Sequence, residues 1–377
     1  MLRSAIIGGG INSAVGRAHF SAINLDRRAD IKFGFFSRDP KVNKETGKNF
    51  SIAPPHIKNS AAELLEASDE FDVLHILTPP SNHFEIILDA LKRGIPVVSE
   101  KPLVASLSEA HQIKEALDDR GGFLRVIFNY LGYPMVRQMR KIIQEGKIGR
   151  VHEIRCEMPQ EGFVKLSEDG KKVEPQAWRL VDGEIPTVSL DLGVHVLMLM
   201  RFLTDEEPKT VVGIESTNGN FPQIIDSINA LLSYQGGMVA NIWYGKSYLG
   251  YRNGLSVSVF GSHGSLRWSQ AFPEEVHATD SAGTRTVLDR ASFLQEYPEE
   301  RRYERFKVGH PVGFIEALAN YYDCVFNDLE SYLSKNENRE QSSYGVNEAI
   351  AGLRILKAIS VSTRSGLHPV EVLQIGR

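Results

Sequence analysis

The sequence predicts an α/β protein in two domains. The first is an N-terminal parallel sheet wound with helices, and the second is an α/β domain on an open, mainly antiparallel sheet. Three observations carry this reading. Over the first third of the 377 residues, short apolar runs alternate with stretches of helical spacing, the pattern of a parallel sheet covered on both faces. After about Tyr130 the pattern changes to long strand-like runs. The chain is also too long for one ordinary core. The boundary is placed at 128/129, giving domains 1–128 and 129–377.

The parallel strands are LRSAIIGG at the start, IKFGFFS (31–37), FDVLHILTPP (71–80), IPVVSEKP (95–102) and GFLRVIFNY (122–130). Helices are expected over 15–26, 81–93 and 106–119 between them, and over 134–146 after the last. RVHEIRCEM, KTVVGIEST, SINALLSYQGGMVANIWYG and LSVSVFGSHGSLRWS then read as strands, with Gly236-Gly237 as a hairpin turn. Residues 312–329 and 344–365 look helical, and 280–307 is a polar, Arg/Glu-rich surface excursion.

Composition narrows the function. Hydrophobic residues make up 42% and charged residues 24%, as in globular proteins. A formal net charge of −4, with no basic block, argues against nucleic acid or an anionic membrane as partner. The two cysteines, Cys156 and Cys324, stand far apart and outside any CxxC, so neither a disulfide framework nor a metal site is expected. An apolar strand begins almost at once, leaving no room for a signal peptide. The longest apolar stretch, LDLGVHVLMLMRFL, is too short to span a bilayer. A cytoplasmic protein is expected.

The first turn reads AIIGGGINSAVGRAHF. A dinucleotide fold needs glycine where a strand turns into a helix, because the backbone must approach the pyrophosphate and helix N–H groups must face it. Gly8 and Gly10 fit the first two positions of GxGxxG. The third should fall at Ser13, but glycine returns only at Gly16, so the loop is longer than the common form. Asn12 and Ser13, within it, are assigned to the cofactor side. At the end of the second strand Ser37 and Arg38 stand where a carboxylate would accept the ribose hydroxyls of NAD, and Asp39 follows. Ser37 with Arg38 suits the 2′-phosphate of NADP. Alternatively, Arg38 covers the adenine and Asp39 takes the ribose, so NAD and NADP both remain open.

Glu100-Lys101-Pro102 follows the fourth strand. Ligands of open parallel sheets sit beyond the carboxyl ends of strands. Lys101 there can steady a developing alkoxide, with Glu100 fixing its position. Asp191 and His195 lie four apart in SLDLGVH, on one face of a helix. His195 can take a proton as hydride leaves the same carbon, and Asp191 can orient it or hold a neighbouring hydroxyl. Taken alone, EKP reads as a solvated turn and His195 as part of an amphipathic helix with Leu192, Val196, Leu199 and Leu203.

In combination the pieces are more specific. The order of a glycine-rich first turn, TPPSNH, SEKP, NYLGYP, AWRL and DLGVH resembles the glucose–fructose oxidoreductase / inositol dehydrogenase family (Gfo/Idh/MocA) over nearly the whole chain. VFGSHGSLRW and GHPVGFIEALANYY resemble a subgroup of it, and Gly16 with His19 fits the family's form with an extended first loop. The resemblance implies a Rossmann domain, a second domain whose sheet packs subunits into dimers or tetramers, and NAD or NADP as cofactor. It further implies oxidation or reduction of a secondary alcohol or ketone on a sugar or cyclitol. Lys101, Asp191 and His195 match the catalytic Lys, Asp and His. Thr78, Pro79, Asn82, His83, Glu100 and Asn129 match cofactor-side positions, and Tyr133, Trp178, Arg179 and His310 fall where the substrate pocket is expected. DGEIPTVSLDLG departs from the glycine-rich stretch many relatives carry before the Asp–His helix, which leaves the substrate open. Two rival readings within the family are an NAD-dependent redox glycoside hydrolase and a non-catalytic sugar sensor. The intact Lys101, Asp191 and His195 argue against the sensor.

Overall fold

The apolar runs of the first third become β1 (Leu2–Gly8), β2 (Ala29–Phe35), β3 (Val73–Leu77), β4 (Val97–Ser99) and β5 (Leu124–Val126). They pair in parallel in the order β2-β1-β3-β4-β5. Every residue of β3 is buried, so both faces of the sheet are covered and the strand has no polar alternation. The helices between them are α1 (Gly16–Leu25), α2 (Pro40–Asn49), α3 (Ala61–Glu66), α4 (His83–Lys92) and α5 (Leu107–Arg120). The computed structural model describes residues 1–13, 15–336 and 341–375.

Helices α2 and α3 were not legible as periodicity. The inner face of α2 consists of Asn43, Thr46 and Gly47, which leave no apolar stripe to read. Its start is set instead by Asp39, whose carboxylate accepts from the amides of Lys41 (2.8 Å) and Val42 (3.3 Å).

The second compact unit comprises Tyr133–Gly313 and Ala351–Arg377. It opens with α6 (Pro134–Gln144), then β6 (Val151–Pro159), a π-helical turn at Ser189–Gly193 leading into α7 (Val194–Thr204), β7 (Pro208–Ser216), β8 (Ser227–Tyr234), β9 (Val239–Gly245), β10 (Ser256–Gly261), β11 (Gly264–Ser269), β12 (Glu275–Asp280), β13 (Arg285–Asp289) and α8 (Arg290–Glu296). The strands form one sheet in which only β6 and β9 pair in parallel. On β8, Ile228, Leu232 and Tyr234 are buried while Asn229 and Leu231 are exposed, the alternation of a sheet covered on one face. The expected polar excursion at 280–307 is partly structured: it holds β13 and α8, with Arg290 and Phe293 buried.

Past Gly313 come α9 (Phe314–Leu333), α10 (Val346–Arg364) and the short edge strand β14 (Val370–Glu371). Phe314–Ile350 belongs with Met1–Gly132 in the first unit. This corrects the single boundary at 128/129, which gave these residues to the second domain. The reason lies in side chains. Arg28 bonds Asn327 and Glu330 of α9, each at 2.8 Å, and pairs with Asp323. Tyr321 donates to the Val126 carbonyl (3.0 Å), and Arg125 bonds Asp328 (3.2 Å).

Beneath α9, His75 of β3 is fully buried. Its Nε2 lies 3.1 Å from the Ser4 hydroxyl, and its ring meets Tyr322 and Phe326 edge-on. Burial, aided by the charge of His19, pushes this imidazole down to about 3. In the unfolded chain a histidine titrates near 6.5. Between those values the unfolded state binds the extra proton. The stability tied to neutral His75 is therefore intact above about pH 6.5 and lost as pH falls below it, at up to about 1.4 kcal/mol per pH unit. Urea unfolding at pH 7 and pH 5 should show His75→Gln losing about 2 kcal/mol less than the wild type over that interval. An equal pH response in both proteins would remove His75 as the cause.

Candidate active site

In the first unit the site forms at the carboxyl ends of β1 and β3, where the strand order reverses and an open sheet leaves a crevice. Gly8 ends β1 at a φ of 88°. A Cβ there would lie 2.7 Å from the Leu77 carbonyl carbon and the Thr78 nitrogen, so only glycine lets the two strand ends come this close. Gly16 begins α1, and a Cβ on it would collide with the backbone of Gly9. Gly16 thus supplies the close helix packing expected of the third glycine, although it comes late. Ser13, which stands at the usual position, caps the helix: its hydroxyl accepts from the amides of Val15 and Gly16, both at 3.3 Å. Asn12 is exposed in the same loop.

This cradle fits a dinucleotide. Gly8, Gly10 and Gly16 let the turn pack directly on Leu77, Phe36 and the start of α1, so its backbone comes to a helix N-terminus as a pyrophosphate site requires. The Thr78 hydroxyl and the Asn129 Nδ2, just past β3 and β5, are buried without a hydrogen-bond partner among the described residues, and such groups are costly unless a ligand or water satisfies them. Past β2, the Ser37 hydroxyl accepts from the Asp39 amide (3.1 Å), Asp39 caps α2, and Arg38 is exposed. Pro79 and Asn82 are exposed between β3 and α4.

His83 departs from its expected place on the cofactor. It is fully buried, its Nδ1 is 3.0 Å from the carbonyls of Pro102 and Leu103, and its Nε2 is 2.9 Å from that of Thr78. It lies between two cofactor-side loops, and in the neutral ring one nitrogen donates to the carbonyls of one of them. Burial lowers its pKa. Glu100 accepts from His19 Nε2 through Oε1 (2.8 Å) and from the Lys101 amide through Oε2 (3.1 Å). Burial alone would raise the Glu100 carboxyl, but the His19 hydrogen bond and charge outweigh it and hold the group below the usual carboxylate range. Lys101 itself is half-buried.

In the second unit Asp191 lies on the π-helical turn and His195 on the first turn of α7, and both are buried. The turn is anchored by the Ser189 hydroxyl, 3.0 Å from the Tyr244 hydroxyl of β9. Oδ2 of Asp191 takes two cations: Arg179, and Lys246 Nζ at 2.7 Å. Trp178 carries the Arg179 guanidinium 4.5 Å above its ring and donates to Gln176 (2.9 Å). Arg179 thus sits on Asp191, with Trp178 against its guanidinium. Tyr133 and His310 are engaged elsewhere. Tyr133 is buried with its ring centroid 5.4 Å from that of Trp268. His310 is exposed, packs edge-on to Phe306, and accepts from the buried Arg290 through its carbonyl (2.7 Å).

The sequence reading missed Lys246 and Tyr322. Lys246 follows β9 in WYGKS, and its one signal was a lysine directly after a strand of the covered sheet. Tyr322 lies on α9 and had none, because nothing local says that α9 packs on the parallel sheet.

Residues 2–128 match the family model described as oxidoreductase family, NAD-binding Rossmann fold. Residues 136–267 match that of the GFO/IDH/MocA C-terminal domain. An uncharacterized oxidoreductase of Bacillus subtilis (strain 168) is 27% identical over 332 residues, covering 85% of this chain and 84% of its own. A D-xylose 1-dehydrogenase (NADP(+)) of Haloarcula marismortui is 29% identical over 245 residues, 64% of this chain and 65% of that protein. Among solved structures, an inositol dehydrogenase homolog from Azotobacter vinelandii, complexed with NADH and myo-inositol, superposes with a TM-score of 0.88 at 25% identity, over 98% of this chain and 97% of its own.

If the Gly16 contact makes the cradle, Gly16→Ala must push α1 off the turn. Calorimetric titration with NADH should then give a Kd weaker by about tenfold or more, and an unchanged Kd would show that the contact is not needed.

Proposed function

Because the chain belongs to the Gfo/Idh/MocA oxidoreductase family, with an NAD-binding Rossmann domain at its N-terminus, we propose that it is an NAD(P)-dependent dehydrogenase acting on a secondary alcohol or ketone of a sugar or cyclitol. The observation that carries this is the Asp191 carboxylate, gripped by Arg179 and Lys246 and followed four residues later by the buried His195. Such a group offers donors and an acceptor to a polyhydroxylated ligand and a base to one of its hydroxyls. The dehydrogenases similar to this chain, named for D-xylose and for inositol, support that substrate class.

Bound on the glycine turn by Gly8, Gly10, Gly16, Thr78 and Asn129, the nicotinamide dinucleotide supplies a two-electron hydride acceptor. An imidazole nitrogen of His195 takes the hydroxyl proton, so the carbinol loses a proton and a hydride together and becomes a carbonyl. Asp191, unable to swing because both cations hold it, orients the base and accepts from a neighbouring hydroxyl. The Lys101 ammonium stabilises negative charge on the reacting oxygen. Arg38 offers a charge to a 2′-phosphate and Asp39 an acceptor to ribose hydroxyls, so the ratio of the NADP and NAD rates decides between them.

The open face of the second sheet supports a homodimer or homotetramer. Ile214 and Leu231 are about half exposed there, beside a shallow depression lined by Asn229, Asn241 and Trp243. Among the described residues no helix is long and apolar enough to cross a membrane, in keeping with a cytoplasmic enzyme.

Nicotinamide absorbance, followed with NAD and NADP over inositols, free sugars and nucleotide sugars, tests the reading. Turnover on one class should fall by about a hundred- to ten-thousand-fold in His195→Ala. Lys101→Met should lower kcat far more than cofactor affinity, and equal losses would sink the role given to Lys101. Release of an aryl glycoside without added cofactor would favour the redox hydrolase.

A further inference from the structure

We propose that His19 and Tyr322 are positioning residues for Lys101, acting through the Glu100 carboxylate. The inference rests on the role proposed above for Lys101. His19 lies on α1, one turn after Gly16, and is almost fully buried. Its Nε2 is 2.8 Å from Glu100 Oε1 and its Nδ1 is 2.7 Å from the Tyr322 hydroxyl. An ionised carboxylate only accepts. Nε2 therefore carries a proton and donates to Glu100 whether the ring is neutral or charged, and in the neutral ring Nδ1 accepts from the Tyr322 hydroxyl. One tautomer satisfies every group in the chain. The other oxygen of Glu100 takes the Lys101 amide. The backbone of Lys101 is thus tied to α1 on one side, while His83 holds the carbonyls of Pro102 and Leu103 on the other.

The chain holds the turn and does not carry protons to solvent. Tyr322 is 1% exposed, and its ring is closed in by His75 and Phe326. Burial keeps its hydroxyl protonated. The line of hydrogen bonds therefore ends inside the first unit, and what it delivers at its other end is a fixed carboxylate. Loss of either hydrogen bond to His19 leaves Glu100 or Tyr322 with a buried group unsatisfied. The Lys101 turn is also held by the Glu100 amide on the Ile76 carbonyl (2.9 Å) and by the Ser99 hydroxyl on the Glu100 carbonyl (3.0 Å), so the carboxylate is what His19 and Tyr322 fix, and the turn answers to it through the Lys101 amide.

Hydrogen exchange and steady-state kinetics of the full chain test this with His19→Leu, His19→Gln and Tyr322→Phe. In His19→Leu, exchange in the 99–104 segment should quicken by about tenfold or more. The increase should be smaller in Tyr322→Phe, and His19→Gln, whose amide still donates to Glu100, should recover part of the protection. kcat should fall in the same order while the NADH Kd stays within roughly twofold of wild type. Unchanged exchange in 99–104 in both His19→Leu and Tyr322→Phe overturns the proposal. So does an increase spread evenly over α1 and the parallel strands, or a loss of kcat matched by the loss of cofactor affinity. A wild-type protein inactive on every substrate would defeat the dehydrogenase reading instead, and the exchange data would still decide whether His19 holds the Lys101 turn.

Discussion

Helix α1 leans on the glycine turn with no side chain between the two backbones. The contact of Gly16 with Gly9 brings the N-terminus of α1 to the ends of β1 and β3, and the positive end of a helix favours an anion there. It also sets the depth and rotation of α1. One turn on, His19 therefore points its ring at Glu100. A helix displaced by a single methyl group would weaken the anion site and the hold on the Lys101 turn together.

The two units hold their buried carboxylates in different ways. Glu100 is flanked by a histidine and a backbone amide, a weakly charged setting that still keeps it ionised. Asp191 is flanked by two full cations on one oxygen. Charge-assisted bonds of this kind are stronger than neutral ones, and in buried surroundings the loss of one partner strands the other. Both carboxylates are thus fixed in place by the groups around them. His83 sits between two loops, with carbonyls against both ring nitrogens, and in the neutral ring one of those nitrogens donates.

Much of this was legible in advance. The five parallel strands, the glycine turn and the EKP and DxGxH segments could be read because each is a local pattern with a local cause: full burial of a strand, a positive φ, a helical face. Patterns of this kind say that a residue is buried or turned, and they stop there. His83 reads as a cofactor-side residue until its three carbonyl partners are seen. Tyr133 reads as a pocket residue until its ring is found against Trp268. In each case the residue type suits both roles, and the choice belongs to neighbours distant in the chain.

By itself the sequence determined the class of the fold, the order of its sheets, the cradle of small residues and the family to which the chemistry belongs, because these follow from periodicity and from residues with few alternatives. Only the tertiary structure decided that α9 packs on the parallel sheet rather than in the second domain, that Tyr322 and His19 stand behind Glu100, and that Lys246 joins Arg179 on Asp191. Those pairings span 303, 81 and 55 residues of chain. Nothing in the spacing of either partner specifies the other. They arise when apolar faces pack together and carry their few polar side chains into reach.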